Sequence, residues 1–330
     1  MSRFSSQRCA AAFDKYRRRD GWPGASSEIN PAHGRGPTPQ VPRRSRLLLQ
    51  LRMKSRRYSE VDVFSNEAYR GNALAVVHDA DDLSTEDMQR FANWTNLSET
   101  TFLLAPSSPR ADYRVRIFSA KEELPFAGHP TLGSAKAWLD TGGSTRPDGS
   151  VIQECAAGLI PVRVADGQMA FEAPPLTRYG PVEESLVHRI AMVLGISREQ
   201  IIDASWLVNG PKWIGVRLSS AQEVLGLRPD PGKLGDLEIG AVGPFEPDGE
   251  AQFEGRAFIG GDPVWEDAVT GSLNAGLARW MIDTDIADPH YTASQGTILG
   301  RQGRVHISLH NGAIWVGGHV TSCIQGSVRL

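Results

Sequence analysis

The sequence has few cysteines and no long hydrophobic run. Its 330 residues include three cysteines, Cys9, Cys155 and Cys323, which are far apart and odd in number. That spacing argues against a disulfide framework and against a cysteine metal site, so we expect a reducing, cytoplasmic setting. A membrane helix requires about 18 consecutive apolar residues. The run LLLQL at 47–51 is far shorter than this, and shorter than a secretory signal core. We therefore expect no membrane partner.

Nucleotide-cofactor motifs and clustered metal ligands are also missing. The sequence contains no GxGxxG, GxxxxGKS or GxxxxGKT stretch, which excludes the common phosphate-binding loops. His306 and His310 share one face of a predicted strand. Because no carboxylate or cysteine is nearby in sequence, we expect exposed strand residues rather than metal ligands. The net charge of −3 gives no reason to expect a nucleic-acid partner. We predict no metal and no organic cofactor.

Positive charge is concentrated in the first 52 residues. That segment holds ten Arg and one Lys against three acidic residues, a net charge of +8, so the remainder carries −11. It is rich in Arg, Ser, Pro and Gly with few periodic apolar positions, which predicts a disordered extension over 1–55. Three interpretations stay open: translated sequence ahead of a start at Met53, an Arg-rich transit peptide, or a basic arm that tethers the protein to an anionic partner.

Short strands dominate the rest of the chain. Runs rich in Val, Ile, Phe and Tyr, such as ADYRVRIFS and KWIGVRLS, are bounded by Gly, Asn, Asp or Pro. Helices are fewer. One is predicted to begin at Ser84, with acidic residues in its first turn, and another to end at Gly195. Because strands and helices do not alternate regularly, we expect a strand-rich α+β fold rather than a doubly wound nucleotide-binding sheet.

A weak internal duplication relates two segments of the chain. RVRIFSAKEELPFAGHPTLGSAKA at 114–137 is similar to EGRAFIGGDPVWEDAVTGSLNAGLA at 254–278. Each segment places a titratable residue four positions before a Gly-Ser pair, His129 in the first and Asp267 in the second. We therefore predict that the two halves offer the same position, filled by different residues.

Each Gly-Ser pair is followed by an Ala- or Leu-rich run that predicts a helix. The pairs at 133–134 and 271–272 would then lie at helix N-termini, where peptide N–H groups lack helical acceptors and the helix dipole is positive. Two such starts facing each other across a cleft would bind a small anion, most simply a substrate carboxylate. His129 lies among Gly and Pro residues that let the backbone come close, so we expect it to handle a proton. The alternative is a core histidine that donates to a backbone carbonyl.

Five motifs occur in order along the body of the chain. They are YSEVDVFSNEAYRGNALAVV, NLSETTFLL, YRVRIFSAKEELPFAGHPTLGSA, EDAVTGS and QGTILGRQGRV. Together they resemble the PhzF-like proteins of phenazine biosynthesis, within the wider diaminopimelate-epimerase-like fold. The resemblance implies two pseudo-symmetric domains, each a mixed β-barrel around a central helix, with the active site between them and commonly a homodimer. We place these domains at 56–176 and 177–318, with 319–330 as a final strand that returns to the first domain.

The resemblance also implies a catalytic set, formed by the glutamate of SET, the histidine of GHP and the aspartate before TGS. These are Glu99, His129 and Asp267. The glutamate would move a proton between carbons of trans-2,3-dihydro-3-hydroxyanthranilate without a cofactor. The flanking segments TTFLL and WTNL would partly desolvate Glu99 and raise the pKa of its carboxyl group toward neutrality. The predicted substrate-binding residues are Ser98, Gly128, Gly133, Ser134, Thr270, Gly271 and Ser272.

Two residues depart from the family pattern. Ala268 replaces the Pro of EDPxTGS and Ala73 replaces the Pro of GNP, which loosens two turns without removing a reacting group. The departures bear on the identity of the substrate more than on the activity. Without the resemblance, Glu99 would be taken for an exposed carboxylate and Asp267 for a helix N-cap. The alternative function is a small-metabolite binding protein that has kept the cleft and lost catalysis.

Overall fold

The structure, a computed structural model, describes residues 53–247, 249–261 and 264–330. The predicted disordered extension lies outside these residues except for its last three positions. Of these, Ser55 already begins the first strand, so the ordered body starts slightly earlier than predicted. Within the described part of the chain, no helix is long and apolar enough to cross a lipid bilayer.

The first half of the described chain builds a barrel of short strands. Its elements are β1 (Ser55–Val63), β2 (Asn72–Val77), α1 (Thr85–Thr95), β3 (Glu99–Leu104), β4 (Tyr113–Ser119), β5 (Glu123–Leu124), α2 (Gly128–Asp140), β6 (Ser150–Cys155), β7 (Gly158–Ala165) and β8 (Gln168–Glu172). Strands β1 and β2 pair antiparallel, β2 and β3 parallel, β3 and β4 antiparallel, and β4 and β6 parallel. Strands β6, β7 and β8 continue as an antiparallel meander, and the short β5 pairs with β4.

The second half repeats this arrangement. Its elements are β9 (Arg178–Pro181), α3 (Glu184–Leu194), β10 (Asp203–Val208), β11 (Trp213–Arg217), α4 (Ala221–Gly226), α5 (Pro231–Leu234), β12 (Glu238–Pro244), β13 (Phe253–Ile259), β14 (Glu266–Asp267), α6 (Gly271–Asp283), β15 (His290–Gln295), β16 (Gly303–His310) and β17 (Ala313–Arg329). Strands β10 and β11 pair antiparallel, β11 and β12 parallel, β12 and β13 antiparallel, and β13 and β15 parallel. Strands β15, β16 and β17 then form an antiparallel meander, so the order of pairings is that of the first half.

Strand β17 takes part in both barrels. Its first residues pair with β16, residues 315–319 pair with β8, and residues 320–329 pair with β1. The pairings with β8 and β1 together close the first barrel, because β17 then joins its two outer strands. The chain end therefore lies against the first half of the fold, while the domain limits given above stay predictions.

One helix occupies the centre of each barrel. Most residues of α2 and α6 are buried, and both sequences are small or apolar on nearly every side. That composition is expected of a helix surrounded by strands. A methyl group added to Gly133 of α2 would approach Leu74 Cδ2 to 2.5 Å, so glycine permits close packing on the barrel wall. The predicted α+β fold, with two pseudo-symmetric barrels each around a central helix, is confirmed.

The two peripheral helices predicted from local signals are also confirmed. Helix α1 is capped by Ser84, whose Oγ accepts a hydrogen bond from Asp87 N at 3.1 Å. Helix α3 ends at Leu194 and is followed by Gly195 with φ of 73°, a left-handed conformation that glycine adopts readily. Both ends are set by neighbouring residues, which is why the sequence predicts them well.

Candidate active site

The first turns of α2 and α6 face each other at the boundary between the barrels. A methyl group built on Gly128 would lie 3.4 Å from Gly271 Cα and 2.6 Å from Phe171 Cζ. Glycine at both starts therefore lets the two helices approach end to end. Among the described residues, no side chain caps either helix. The first-turn N–H groups, including that of Ser272, lack helical acceptors and carry partial positive charge, which favours an anion.

Helix α2 begins earlier than predicted. The predicted start at Gly133 and Ser134 is wrong, because the helix starts at Gly128 and includes Pro130 in its first turn. Proline is tolerated there, since its missing N–H would have no helical acceptor. Gly133 packs against the barrel wall, and Ser134 Oγ donates to Thr101 Oγ1 at 3.0 Å in the core. Contrary to the prediction, neither residue is among those lining the cleft.

The pair at 271–272 does begin a helix, and this fixes the correspondence between the halves. Gly128 and Gly271 are the first residues of α2 and α6, so His129 corresponds in helix position to Ser272. Asp267 lies four residues before α6, at the end of β14. The prediction that His129 and Asp267 occupy equivalent positions is therefore wrong. The two side chains reach the same cleft from different points of the repeated unit.

A cleft of about 800 Å³ opens where the two helix starts meet. Glu99, His129 and Asp267 all line it, so the three predicted catalytic residues come together from β3, α2 and β14. The predicted binding residues that line it are Gly128, Thr270, Gly271 and Ser272. Its walls also include a set of apolar side chains, among them Leu124, Phe126, Leu159, Ile160 and Pro161. The cleft thus combines one polar end with surface suited to the carbon skeleton of a small molecule.

Glu99 and His129 are in direct contact. Glu99 is the first residue of β3, and its side chain is 18% exposed. Its Oε2 lies 3.4 Å from His129 Nε2, and the imidazole itself is buried. Burial lowers the pKa of His129 to about 3, so the ring is uncharged near neutral pH. A neutral imidazole can donate one hydrogen bond to a neighbouring carboxylate. Because its pKa is low, it does not take up the proton that the carboxyl group would transfer.

Asp267 is held by hydrogen bonds on both carboxylate oxygens. Thr270 Oγ1 donates to Oδ2 at 2.6 Å and Asn72 Nδ2 donates to Oδ1 at 3.0 Å. Ser98, which was predicted as a binding residue, lies close to this carboxyl group and is not among the residues that line the cleft. Burial raises the pKa of Asp267, and the hydrogen bonds oppose that rise. The carboxyl group is therefore fixed in orientation beside the cleft.

A second layer of amides holds the start of α6. Gln295 Oε1 accepts from Thr270 N at 3.1 Å and from Asn274 Nδ2 at 2.9 Å. Gln295 Nε2 donates to Thr270 Oγ1 at 3.0 Å. The hydroxyl of Ser272 is held in turn by Trp213 Nε1 at 3.0 Å. These contacts position the first turn of α6 from strands β11 and β15.

Three of these supporting residues were not predicted from the sequence. Asn72, Gln295 and Trp213 contact site residues that are far away along the chain. Asn72 lies in the motif stretch ending in RGNALAVV, and Gln295 begins QGTILGRQGRV. The motifs therefore contained the signal, but their polar residues could not be given partners from the sequence alone.

The predicted strand histidines are distant from this chemistry. His310 is exposed, as predicted, whereas His306 is half-buried, with Nδ1 3.0 Å from Thr292 Oγ1. Burial lowers the pKa of His306. Across residues 53–247, 249–261 and 264–330, no group of three or more His, Cys, Asp or Glu side chains is arranged to hold a metal ion.

Two pseudo-symmetric barrels with facing helix starts and a carboxylate–imidazole–carboxylate set between them define a protein of the diaminopimelate-epimerase-like fold. A family model described as phenazine biosynthesis-like protein matches residues 61–326. The chain belongs to this family, the PhzF-like proteins. The PhzF-family structure from Enterococcus faecalis aligns with a TM-score of 0.70 over 84% of this chain and all of that one, at 23% identity, which supports the fold.

Curated relatives bear on activity. Antisense-enhancing sequence 1 of Schizosaccharomyces pombe is 37% identical over 295 residues, 83% of this chain and 99% of that protein. The trans-2,3-dihydro-3-hydroxyanthranilate isomerase of Pseudomonas aeruginosa is 37% identical over 224 residues, 67% of this chain and 78% of that enzyme. Similarity to curated isomerases supports an isomerase within the PhzF-like family.

Proposed function

We propose that this protein is a cofactor-independent isomerase or epimerase that moves a carbon-bound proton on a small carboxylate-bearing metabolite. The reaction would be similar to that of trans-2,3-dihydro-3-hydroxyanthranilate isomerase, the named activity of a relative. The observation that carries the proposal is the contact of Glu99 Oε2 with His129 Nε2, at 3.4 Å, in a cleft closed at one end by two facing helix starts.

The helix starts supply the binding site for the substrate carboxylate. Uncapped N–H groups at Gly271 and Ser272 and two helix dipoles favour a small anion at the polar end of the cleft. The apolar side chains of Phe126 and Ile160 would contact the carbon skeleton. Binding in this orientation would hold a C–H bond near Glu99, and such positioning contributes a large share of the rate.

Glu99 is the group that transfers the proton. Its carboxylate would remove a proton from one carbon, and the electron pair of that C–H bond would move into the adjacent unsaturated or carboxyl-bearing system. The same carboxyl group would return the proton to another carbon, or another proton to the same carbon, so no electrons are gained or lost. His129, as a neutral donor, and Asp267 would orient Glu99 and the substrate. General acid-base catalysis of this kind contributes about 10²- to 10⁴-fold in rate.

A solvent-exchange screen tests the proposal. The protein would be incubated in D₂O with cyclic and acyclic carboxylic metabolites, and proton NMR would report deuterium incorporation at carbon. We expect at least one ligand to exchange with the wild type and with the surface variant Glu246→Gln, whose parent side chain is exposed, and to exchange far more slowly with Glu99→Gln, for which Glu246→Gln is the matched control. If ligands bind and none of them exchanges its carbon-bound protons, the result would contradict the proposed function. It would indicate the alternative, an inert metabolite-binding protein.

A further inference from the structure

Asn72 stands out as a buried amide at the boundary between the barrels. It is the first residue of β2 and is 4% exposed. The turn before it is fixed by Asp62, whose Oδ2 accepts from Arg70 N at 2.7 Å and Gly71 N at 2.8 Å. A methyl group on Gly71 would lie 2.1 Å from Val63 O, so only glycine allows this turn to pack so closely. The backbone around Asn72 is therefore held rigidly.

The side-chain nitrogen of Asn72 meets three acceptors that belong to both halves of the molecule. It lies 3.0 Å from Asp267 Oδ1 and 2.9 Å from Val269 O, both in the second half. It also lies 3.4 Å from His129 Nδ1 in the first half. The two oxygens, Asp267 Oδ1 and Val269 O, both require a donor, and of the two ends of the Asn72 amide only the NH₂ group donates. In the flipped orientation the amide oxygen would face a carboxylate and a carbonyl and would be repelled by both. These two oxygen acceptors therefore fix the orientation of the amide.

This orientation determines which nitrogen of His129 carries the proton. The two hydrogens of this NH₂ group go to the closer acceptors, Asp267 Oδ1 and Val269 O, and Nδ1 lies beside them at 3.4 Å. A proton on Nδ1 would oppose those hydrogens whereas a lone pair is attracted to them, so the neutral ring carries its proton on Nε2. Nε2 is the nitrogen nearest Glu99 Oε2, at 3.4 Å, a contact that does not reach hydrogen-bond geometry, so the proposed donation requires the two side chains to approach slightly. The contacts therefore form a chain that runs from Glu99 through His129 and Asn72 to Asp267, across both barrels, with Glu99 and Asp267 as its two carboxyl groups.

We propose that Asn72 is a positioning residue that joins the two barrels at the site, sets His129 as an Nε2–H donor to Glu99, and holds Asp267 in place. The inference rests on the proposed function for the part that Glu99 plays. Asn72 would not touch the reacting atoms. It would act by keeping the proton of His129 on the side of Glu99 and by fixing the distance between the barrels that contribute the two carboxyl groups.

The direct test is the tautomer of His129 in the wild-type protein. Imidazole ¹⁵N shifts distinguish a protonated nitrogen from one with a lone pair, and a His129→Gln spectrum identifies the signals of this ring. We expect Nε2 to carry the proton and Nδ1 to carry none between pH 6 and pH 8, in ligand-free protein. A proton on Nδ1 would overturn the inference, and this readout requires no substrate and no variant of Asn72.

The variant Asn72→Leu provides the second test, because it removes the amide donor while nearly keeping the volume of the side chain. We expect the ¹⁵N shifts of His129 to lose their preference for Nε2–H and kcat to fall by about 10²- to 10⁴-fold, the range of general acid-base effects. The matched control is Asn93→Leu, on the exposed face of α1, where the parent amide donates to Ala120 O. An unchanged tautomer or an unchanged kcat in Asn72→Leu would overturn the inference.

The outcomes separate this inference from the proposed function. If the tautomer is Nε2–H but no carboxylic ligand exchanges its carbon-bound protons, the proposed function fails while Asn72 retains its positioning role. If exchange occurs and the tautomer is Nδ1–H, the proposed function survives and the role of Asn72 is refuted.

Discussion

The end-to-end approach of the two central helices makes a quantitative prediction about Gly128. Replacing it with alanine would place a methyl carbon 2.6 Å from Phe171 Cζ. Carbon atoms in contact normally lie about 3.5 to 4.0 Å apart, so roughly 1 Å of movement would be needed. The Phe171 ring has no room to give, because it is fully buried and packs edge-to-face on Phe126 at 5.6 Å between centroids. The helix start would have to shift instead.

The expected cost follows from two opposing effects. Overpacking in a core typically costs about 1 to 3 kcal/mol, and the lower chain entropy of alanine in the unfolded state returns about 0.4 to 1 kcal/mol. Taking the middle of each range, we expect Gly128→Ala to lower the free energy of unfolding by about 1.3 kcal/mol. Gly271→Ala should cost less, since its closest new contact is 3.3 Å, to Gly128 Cα.

Urea denaturation of three alanine variants measures this order. The control is Gly226→Ala at the end of α4, where a new methyl group would meet no atom within 4 Å and stability should be unchanged or slightly higher. The order of destabilisation should be Gly128, then Gly271, with Gly226 unaffected. Gly128→Ala with the stability of the Gly226 control would refute the reasoning that glycine is required for the helix starts to meet.

Three further changes test other parts of the account. Burial lowers the pKa of His129 to about 3 from 6.5, so below pH 6.5 the unfolded chain takes up a proton that the folded protein does not. Stability is therefore lost as pH falls, by up to about 1.4 kcal/mol per pH unit, and His129→Gln should flatten that slope in denaturation curves measured between pH 6.5 and 4. Ser134→Ala should cost about 1 kcal/mol through loss of its hydrogen bond to Thr101, with turnover unchanged, whereas a drop in turnover would restore the predicted substrate contact. Arg256→Met should cost about 3 to 5 kcal/mol by thermal or urea unfolding, because it leaves the buried Glu266 without its paired cation, and a loss below 1 kcal/mol would contradict that expectation.

Local signals were sufficient for the parts of the fold that are set by neighbouring residues. Ser84 and Gly195 fix the ends of α1 and α3 through contacts a few residues away, so the sequence predicts both. The start of α2 was predicted five residues too late, because the helix was taken to begin at the Gly-Ser pair before the Ala-rich run, whereas it begins at Gly128. That one shift also produced the incorrect correspondence between His129 and Asp267.

Long-range polar contacts could not be predicted from the sequence. The motifs named Glu99, His129 and Asp267, and the structure brings them into one cleft, while their catalytic roles stay predictions. Asn72 contacts Asp267 across 195 positions of sequence, and no local pattern indicates which acceptor a buried amide will meet. The pairing of residues 320–329 with β1 likewise depends on closure of the whole barrel.

The most direct test of the central claim is the rate of deuterium transfer from solvent to a carbon of a bound carboxylic ligand, compared between the wild type and Glu99→Gln at matched occupancy. The substitution keeps the shape of the side chain and removes its ability to exchange a proton, so we predict that ligand affinity stays within a few-fold and the exchange rate falls by about 10²- to 10⁴-fold. Exchange at the wild-type rate in Glu99→Gln would contradict the account.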